Sequence, residues 1–95
     1  MDWKGSDYSW SRASILMNAP SVSGVYVIWN GDGCICVGDT HDLQRRLLDH
    51  FDNPPRCMTE GRPPTAFGFE TCSVELRTRR NNFLSLALRP RCTDT

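Results

Sequence analysis

The sequence predicts a small α+β domain in which a three-stranded, mostly antiparallel sheet is flanked by helices. Three observations lead to this fold class. Residues 24–38 contain two apolar runs separated by a turn signal, residues 66–72 contain a third strand pattern, and helical periodicity occurs before, between and after these strands. This order of elements packs naturally as one sheet with helices against it. The 95 residues suit one domain over 1–95, and residues 23–92 are its core motif region.

The first half of the chain predicts a helix followed by a hairpin. In residues 9–17, Trp10, Ala13 and Met17 recur at helical spacing. Residues 24–29 are β-branched and aromatic, which is typical of a strand, and residues 30–33 read Asn-Gly-Asp-Gly before the return strand 34–38. Two-residue and three-residue loops are both compatible with this turn. They differ by one position in register, so they place different side chains on the same face.

The second half predicts two longer helices and one strand. A helix over 41–51 follows the hairpin, with Asp39 and Thr40 both suitable as its N-cap. Residues 52–65 contain two proline pairs and are predicted as a loop, and strand 66–72 places Phe67 and Phe69 on one face. The last helix runs from Ser73 to 88 or 89. The predicted buried residues of the two helices are Leu43, Leu47 and Phe51, then Leu76, Phe83, Leu84, Ala87 and Leu88.

Composition limits the classes of partner. The 11 basic and 11 acidic residues cancel, which argues against a surface that coats nucleic acid broadly but leaves room for a local basic groove. Ten of the basic residues are arginine, which binds phosphate bidentately. A GC-rich bias in the coding sequence is the alternative explanation for this count. The first seven residues are polar, and no apolar run is long enough to span a membrane. We therefore expect a cytoplasmic protein.

The five cysteines lack the spacing of a zinc site. They are odd in number, and no Cys-x-x-Cys pair occurs. The favoured interpretation is that they are small buried hydrophobic residues in a reducing compartment, with zinc or redox roles as the alternative. The cysteines are Cys34, Cys36, Cys57, Cys72 and Cys92.

The hairpin and the helix after it carry two short motifs. The first is Gly24-Val25-Tyr26 and the second is Cys36-Val37-Gly38, followed by a helical Arg46 and, four residues later, by His50. In this order and spacing they resemble the GIY-YIG nuclease family, and weaker similarity extends through the last helix to Pro90. The resemblance implies an endonuclease that hydrolyses phosphodiester bonds, DNA being the expected substrate, with Mg²⁺ or Mn²⁺ as cofactor.

The resemblance also implies a role for each matching position. Tyr26 would be the general base toward water, Arg46 would clamp phosphate oxygens and His50 would orient the nucleophile or move a proton. Arg46 and His50 are at i and i+4, so they share a helix face. The expectation is that the Arg46, His50 and Tyr26 side chains converge on one exposed pocket. The competing explanations are a solvated helix face for Arg46 and His50 and a half-buried strand residue for Tyr26.

Both motifs contribute an aromatic hydroxyl in the family, so Tyr26 and Cys36 should share a face. That requirement predicts a three-residue hairpin loop over 31–33, and Trp29 opposite Cys34 would refute it.

Two positions depart from the family pattern. Cys36 replaces the second motif's tyrosine, and a thiol is a smaller and poorer hydrogen-bond donor. Counting back from Pro90 puts Asn81 where the family has its metal-binding Glu, and a neutral amide holds a hard cation poorly. Glu70 and Glu75 are the candidate substitutes. Thr93 stands where the family has a final Asn.

Further arginines are candidates for phosphate binding. Arg77 and Arg80 lie on the same flank of the last helix as Asn81, where they would extend the Arg46 surface or serve as a solubilising face. Arg45 either joins that surface or pairs with Asp49 or His41. Three functions follow as alternatives: a nuclease, a non-catalytic nucleic-acid-binding module on the same scaffold, and a protein-interaction domain. A partner protein would supply the specificity that a bare domain lacks.

Overall fold

A computed structural model describes residues 7–92 of the chain, so the predictions made for the first six residues and for Thr93 lie outside the described part. Eight elements follow one another along these residues. They are β1 (Asp7–Ser9), α1 (Arg12–Asn18), β2 (Gly24–Asn30), β3 (Gly33–Thr40), α2 (Leu43–Asp52), α3 (Arg56–Thr59), β4 (Ala66–Thr71) and α4 (Val74–Leu88).

The strands form one antiparallel sheet in the order β1-β4-β2-β3, which confirms the predicted fold class with one strand more than expected. The extra strand is β1, which has three residues and is too short to show an alternating pattern. It is held by its pairing with β4, where Tyr8 lies opposite Phe67. The Tyr8 ring stands 5.5 Å from the Phe67 ring and 5.7 Å from the Phe69 ring, centroid to centroid.

The hairpin between β2 and β3 differs from the prediction. Trp29 lies opposite Cys34 and Asn30 opposite Gly33, so the loop has two residues and the predicted three-residue loop is wrong. A bulge between the Ile28 and Trp29 pairs then shifts the register by one position. Ile28 consequently pairs with Cys36. Tyr26 and Cys36 therefore share a face as predicted, but because of the bulge and not because of a three-residue loop.

Each face of the sheet has its own core. On one face, α1 and α2 cover Tyr26, Ile28 and Cys36, with Leu43 and Leu47 of α2 in the same cluster. On the other face, Leu84 of α4 packs against Val25, Val27 and Val37. The alternation of side chains along β2 therefore assigns the first motif's tyrosine to the α2 side and its neighbouring valines to the α4 side.

The helices are close to their predicted ranges, but their buried residues differ. In α1 the buried residue is Ile15, whereas Ala13 and Met17 are exposed. In α4 only Leu84 is fully buried, and the predicted core residues Leu76 and Phe83 are exposed. Neither predicted N-cap of α2 is used, because Asp42 accepts the hydrogen bond from the Arg45 amide. None of the helices in the described part of the chain has the length and apolar character that crossing a bilayer requires.

Candidate active site

The two motif glycines allow their strands to be covered closely. A Cβ on Gly24 would stand 2.7 Å from a Leu43 methyl carbon of α2 and would overlap the Glu70 carbonyl oxygen. A Cβ on Gly38 would overlap the phenol of Tyr26, which lies opposite it across the hairpin. The second motif's glycine thus provides the space in which the first motif's tyrosine lies.

Tyr26 and His50 form a hydrogen-bonded pair inside the domain. The Tyr26 hydroxyl oxygen is 2.7 Å from His50 Nε2, and the hydroxyl donates in the tautomer that carries the imidazole proton on Nδ1. Only 1% of Tyr26 and 3% of His50 is accessible to solvent. The expectation that these two side chains face an exposed pocket is wrong, but the geometry suits proton transfer between phenol and imidazole.

A small cavity adjoins His50. Its volume is about 230 Å³. Its walls are mostly aromatic rings and prolines, so the imidazole is the ionisable group in its lining. The lining residues are Trp10, His50, Phe51, Pro54, Met58, Thr59, Pro63 and Pro64. Five of these eight residues belong to the stretch between α2 and β4, which the sequence predicted only as a loop with two proline pairs.

Arg46 lies one helical turn before His50 and lines a groove on the surface of α2, whereas His50 lines the small cavity. Its guanidinium donates to Asp49 at 3.2 Å, so Asp49 pairs with Arg46 and not with Arg45 as one alternative proposed. With Arg45 and His41 it lines an open groove of about 680 Å³ along α2. This groove and the cavity beside His50 share no lining residue. Of the three groups predicted to converge on one exposed pocket, Tyr26 and His50 meet in the interior, and the convergence of Arg46 with them stays a prediction.

Cys36 occupies the position of the second motif's tyrosine and is fully buried. The chain end returns beside it, since the Cys92 amide donates to the Ile35 carbonyl at 2.7 Å and Cys36 and Cys92 form a parallel bridge. Cys92 is also joined to Cys57 by a disulfide. The interpretation that all five cysteines are reduced hydrophobic residues is thus wrong for this pair.

The thiols of Cys34 and Cys72 are hard to ionise, because burial raises their pKa values. Burial raises the pKa of Cys34 to about 11, against a small lowering by its contact with the Cys36 carbonyl. Burial, and next the charge of Glu70, also raises the pKa of Cys72. Neither thiol has the depressed pKa of a reactive nucleophile.

Asn81 lies against the carboxylate of Asp39, a residue that the sequence predicted only as a possible N-cap of α2. Its amide nitrogen donates to Asp39 Oδ1 at 2.8 Å, and its amide oxygen accepts from the Ser85 hydroxyl at 3.1 Å. The other Asp39 oxygen is 3.5 Å from Arg77 Nε. Because Asp39 directly follows the second motif on β3, its side chain emerges on the α4 side of the sheet. The sequence feature that could have identified Asp39 as a site residue is its position directly after Gly38 of the second motif.

This group of residues does not fit a divalent cation. Mg²⁺ and Mn²⁺ prefer carboxylate oxygens, and here the one carboxylate beside Asn81 already lies against a guanidinium. The predicted substitute Glu70 is held by Arg80 in a two-point ion pair at 2.8 and 2.9 Å. Among residues 7–92 there is no cluster of three or more His, Cys, Asp or Glu side chains that could hold a metal ion.

Arg77 and Arg80 attach α4 to the sheet. Arg77 bridges Asp39 and the Ser23 hydroxyl, and Arg80 pairs with Glu70 while its guanidinium lies 5.3 Å from the centroid of the Phe83 ring. Both belong to the helix that covers the face opposite α2, so they do not extend the Arg46 surface. Their predicted role in nucleic-acid binding has no support from this geometry.

Comparison with known proteins identifies the architecture. No protein-family model and no curated protein sequence matches the chain. Among solved structures, point mutants of the GIY-YIG N-terminal endonuclease domain of UvrC from Thermotoga maritima, bound to its catalytic divalent cation, superpose with a TM-score of 0.71 at 22% sequence identity. The match covers 84% of this chain and 90% of that domain. A further mutant of the same domain gives a TM-score of 0.66. The described residues therefore adopt the fold of the GIY-YIG endonuclease domains.

Proposed function

We propose that this domain is a phosphodiesterase that cleaves nucleic acid, DNA in the first instance. The observation that carries the proposal is the 2.7 Å hydrogen bond between Tyr26 and His50, formed at the first motif's tyrosine in a fold shared with an endonuclease domain. A phenol alone is a weak base near neutral pH, and a hydrogen-bonded imidazole supplies the acceptor that it needs. The pair is thus suited to remove a proton from an attacking water.

The reaction would use the chain's own groups in three roles. Water attacks the phosphorus while Tyr26 takes its proton and passes the phenolic proton to His50 Nε2. The bond from phosphorus to the leaving oxygen breaks, and that oxygen is protonated from solvent. Arg46 leaves Asp49 to bind the phosphate, where its fork of donors stabilises the charge that grows in the transition state. Cys36 serves as packing in this scheme, because a thiol is a poor hydrogen-bond donor compared with the phenol that the family has at this position.

A second candidate is a non-catalytic nucleic-acid-binding module. The observation that favours it is the pairing of Asn81 with Asp39 and of Asp39 with Arg77, which leaves no carboxylate arranged for a divalent cation. The UvrC domain structures hold such a cation. An active form of this protein would therefore either bind Mg²⁺ or Mn²⁺ at a weaker site or work without a metal. We further propose a cytoplasmic location and a partner protein that supplies specificity.

The test is cleavage of supercoiled plasmid with Mg²⁺ or Mn²⁺ by the wild-type protein and four variants. For a nuclease, Arg46→Ala should reduce the rate by about a hundredfold, as does loss of a transition-state donor in other enzymes. Tyr26→Phe should act in the same direction, while Arg79→Ala on the other side of the sheet is the matched arginine control. Asn81→Glu places a second carboxylate beside Asp39.

The outcomes separate the two functions. Wild-type cleavage that depends on Arg46 supports the nuclease. Cleavage by Asn81→Glu alone identifies a competent scaffold whose metal ligand is missing and assigns the natural protein to the binding module. DNA binding without cleavage by any variant also assigns it to the module. Cleavage that is equal in Arg46→Ala and wild type contradicts the proposed site.

A further inference from the structure

Residues 53–65, here called the covering loop, close the Tyr26–His50 pair off from solvent. Met58 of α3 is 1% exposed and belongs to the same core cluster as Tyr26. Other residues of the loop complete the wall of the cavity beside His50: Pro54, Thr59, Pro63 and Pro64. A phosphate cannot reach an imidazole that lies under this cover, so a working site requires the covering loop to move.

The covering loop is fastened to the end of the chain. Cys57, in α3, is joined to Cys92 by a disulfide that spans 35 residues of sequence. The Arg91 guanidinium donates to the carbonyl of Cys57 at 3.1 Å and to that of Met58 at 3.5 Å. These contacts and the disulfide form what we call the clamp.

The clamp in turn is anchored to the sheet. The Cys92 amide donates to the Ile35 carbonyl of β3, and the Arg91 amide donates to the Cys34 carbonyl at 3.2 Å. Residues 91 and 92 therefore lie along β3, and the disulfide connects them to α3. The last residues of the covering loop have separate bonds, since the Thr65 amide donates to the Trp29 carbonyl. Without the disulfide, α3 would be held by the two Arg91 hydrogen bonds and by the packing of Met58, while the other end of the loop would stay in place.

We propose that the clamp keeps the covering loop over the Tyr26–His50 pair, that the Cys57–Cys92 disulfide makes the clamp redox-controlled, and that reduction of this disulfide opens the site. The role of the clamp in controlling a nuclease site rests on the proposed function, whereas the closure of the loop over His50 does not depend on it. The reductant is a dithiol. Two electrons and two protons pass from it to the protein, the S–S bond breaks, Cys57 and Cys92 become thiols, and the dithiol becomes a disulfide.

The location proposed for the protein agrees with this chemistry. In a reducing compartment, disulfides are uncommon, and those that occur are usually transient and act in catalysis or redox sensing. The site would accordingly be open under ordinary reducing conditions and closed after oxidation. A structural disulfide in the same place would hold the cover closed permanently and leave the buried pair without access to substrate.

The experiment measures the solvent access of His50 directly. The protein has two histidines, and the exposed His41 is an internal reference for the buried His50. Oxidised protein and protein reduced with a dithiol, then desalted anaerobically, are treated with diethyl pyrocarbonate, and each histidine is followed by peptide mass spectrometry. The rate at His50 should rise by about tenfold or more on reduction, as expected for local opening, while His41 is unchanged.

Two variants make the result specific to the clamp. The double variant Cys57→Ser/Cys92→Ser should show the fast His50 rate with or without reductant. Cys72→Ser, which removes a thiol outside the clamp, should behave as wild type. Should the double variant fail to fold, reduction of the wild-type protein still gives the answer. Far-UV circular dichroism should be retained after reduction, because the sheet, α2 and α4 do not depend on the disulfide.

An unchanged His50 rate in protein whose Cys57–Cys92 bond is shown to be reduced would overturn the clamp. Loss of the circular dichroism signal on reduction would also overturn it, since the opening would then be global unfolding. Plasmid cleavage measured in parallel separates this inference from the proposed function. If His50 becomes accessible and no cleavage appears, the clamp stands and the nuclease fails. Equal cleavage by oxidised and reduced protein would overturn control of the site by the clamp.

Discussion

Gly38 and Tyr26 show at the scale of single residues how the motifs depend on each other. The phenol ring fills the space above a residue that has no side chain, and its hydroxyl then reaches His50. Any side chain at position 38 would push the phenol away from the imidazole. The glycine is thus required by close packing, since its backbone angles are ones that other residues adopt.

We predict that Gly38→Ala destabilises the domain by about 1–3 kcal/mol, the usual cost of inserting a carbon into a filled core. The same change at Gly31 is the control, because a Cβ there would meet only the end of the Arg62 side chain at 3.6 Å. That control should stay within about 0.5 kcal/mol of wild type. Urea unfolding of both variants checks the prediction, and equal midpoints would contradict it.

The buried thiol of Cys34 gives a prediction about pH. Its pKa of about 11 lies above the ordinary value of 9.0, so alkylation by iodoacetamide should keep accelerating to about pH 11 and should not level off near 9. The folded state holds this proton more tightly than the unfolded chain, so unfolding releases a proton between these values and stability falls as pH rises through them. Cys34→Ala should remove that contribution. A labelling rate that levels off near pH 9 in folded Cys72→Ser protein would contradict the assignment.

The helix α4 shows at the scale of elements why apolar periodicity misleads. Its sequence contains enough leucine and phenylalanine for a continuous apolar side, but only Leu84 lies fully within the sheet's second core. Polar contacts supply the rest of its attachment, through Arg77 and Asn81 to Asp39 and through Arg80 to Glu70. Leu84, with Leu88 partly buried beside it, therefore attaches the helix to the sheet together with these ion pairs and hydrogen bonds.

We predict that Leu84→Ala costs about 2–5 kcal/mol, the range for removing a buried leucine side chain. Leu86→Ala is the matched control, because Leu86 is on the same helix and 81% exposed whereas Leu84 is 0% exposed. The control should change the free energy of unfolding by about 0.5 kcal/mol or less. Chemical denaturation monitored by circular dichroism measures both. Similar losses in the two variants would mean that the helix packs differently from this structure.

At the scale of the whole molecule, the sheet separates the two sets of family positions. Tyr26, His50 and Arg46 belong to the α2 side, while Asn81 and Asp39 belong to the α4 side. Most arginines are also committed to carboxylates, as in the pairs Arg12–Asp52, Arg46–Asp49, Arg56–Glu60, Arg62–Asp32, Arg77–Asp39 and Arg80–Glu70. Within residues 7–92, Arg45, Arg79, Arg89 and Arg91 form no ion pair, and Arg91 donates to the Cys57 and Met58 carbonyls instead.

Few unpaired arginines predict a weak salt dependence of DNA binding. With two or three phosphates neutralised, the slope of log affinity against log salt should be about −2 to −3. Arg45→Ala, in the α2 groove, should reduce that slope by about 0.9, whereas Arg79→Ala on the opposite side should leave it unchanged. Fluorescence anisotropy with a labelled duplex across a salt series gives these slopes. If Arg79→Ala reduced the slope and Arg45→Ala did not, the binding surface would lie on α4 instead.

The sequence by itself determined the order of the main elements, the three strands of the motif region and the helical face shared by Arg46 and His50. These features are local, because strand alternation, helix spacing and turn residues act over a few positions. The positions of the motif glycines, Gly24 and Gly38, also follow from the sequence, through the order and spacing of the two motifs. The predicted fold class followed from that information.

Only the tertiary structure decided the features that join distant parts of the chain. Strand β1 exists because β4 lies beside it, the bulge at Ile28 restores a register that the loop alone would have changed, and the Cys57–Cys92 bond connects residues that no spacing rule pairs. The depth of Tyr26 and His50 depends on the covering loop, which has no periodic pattern of its own. Burial and pairing are set by what packs on a residue from elsewhere, and a local pattern contains no information about that neighbour.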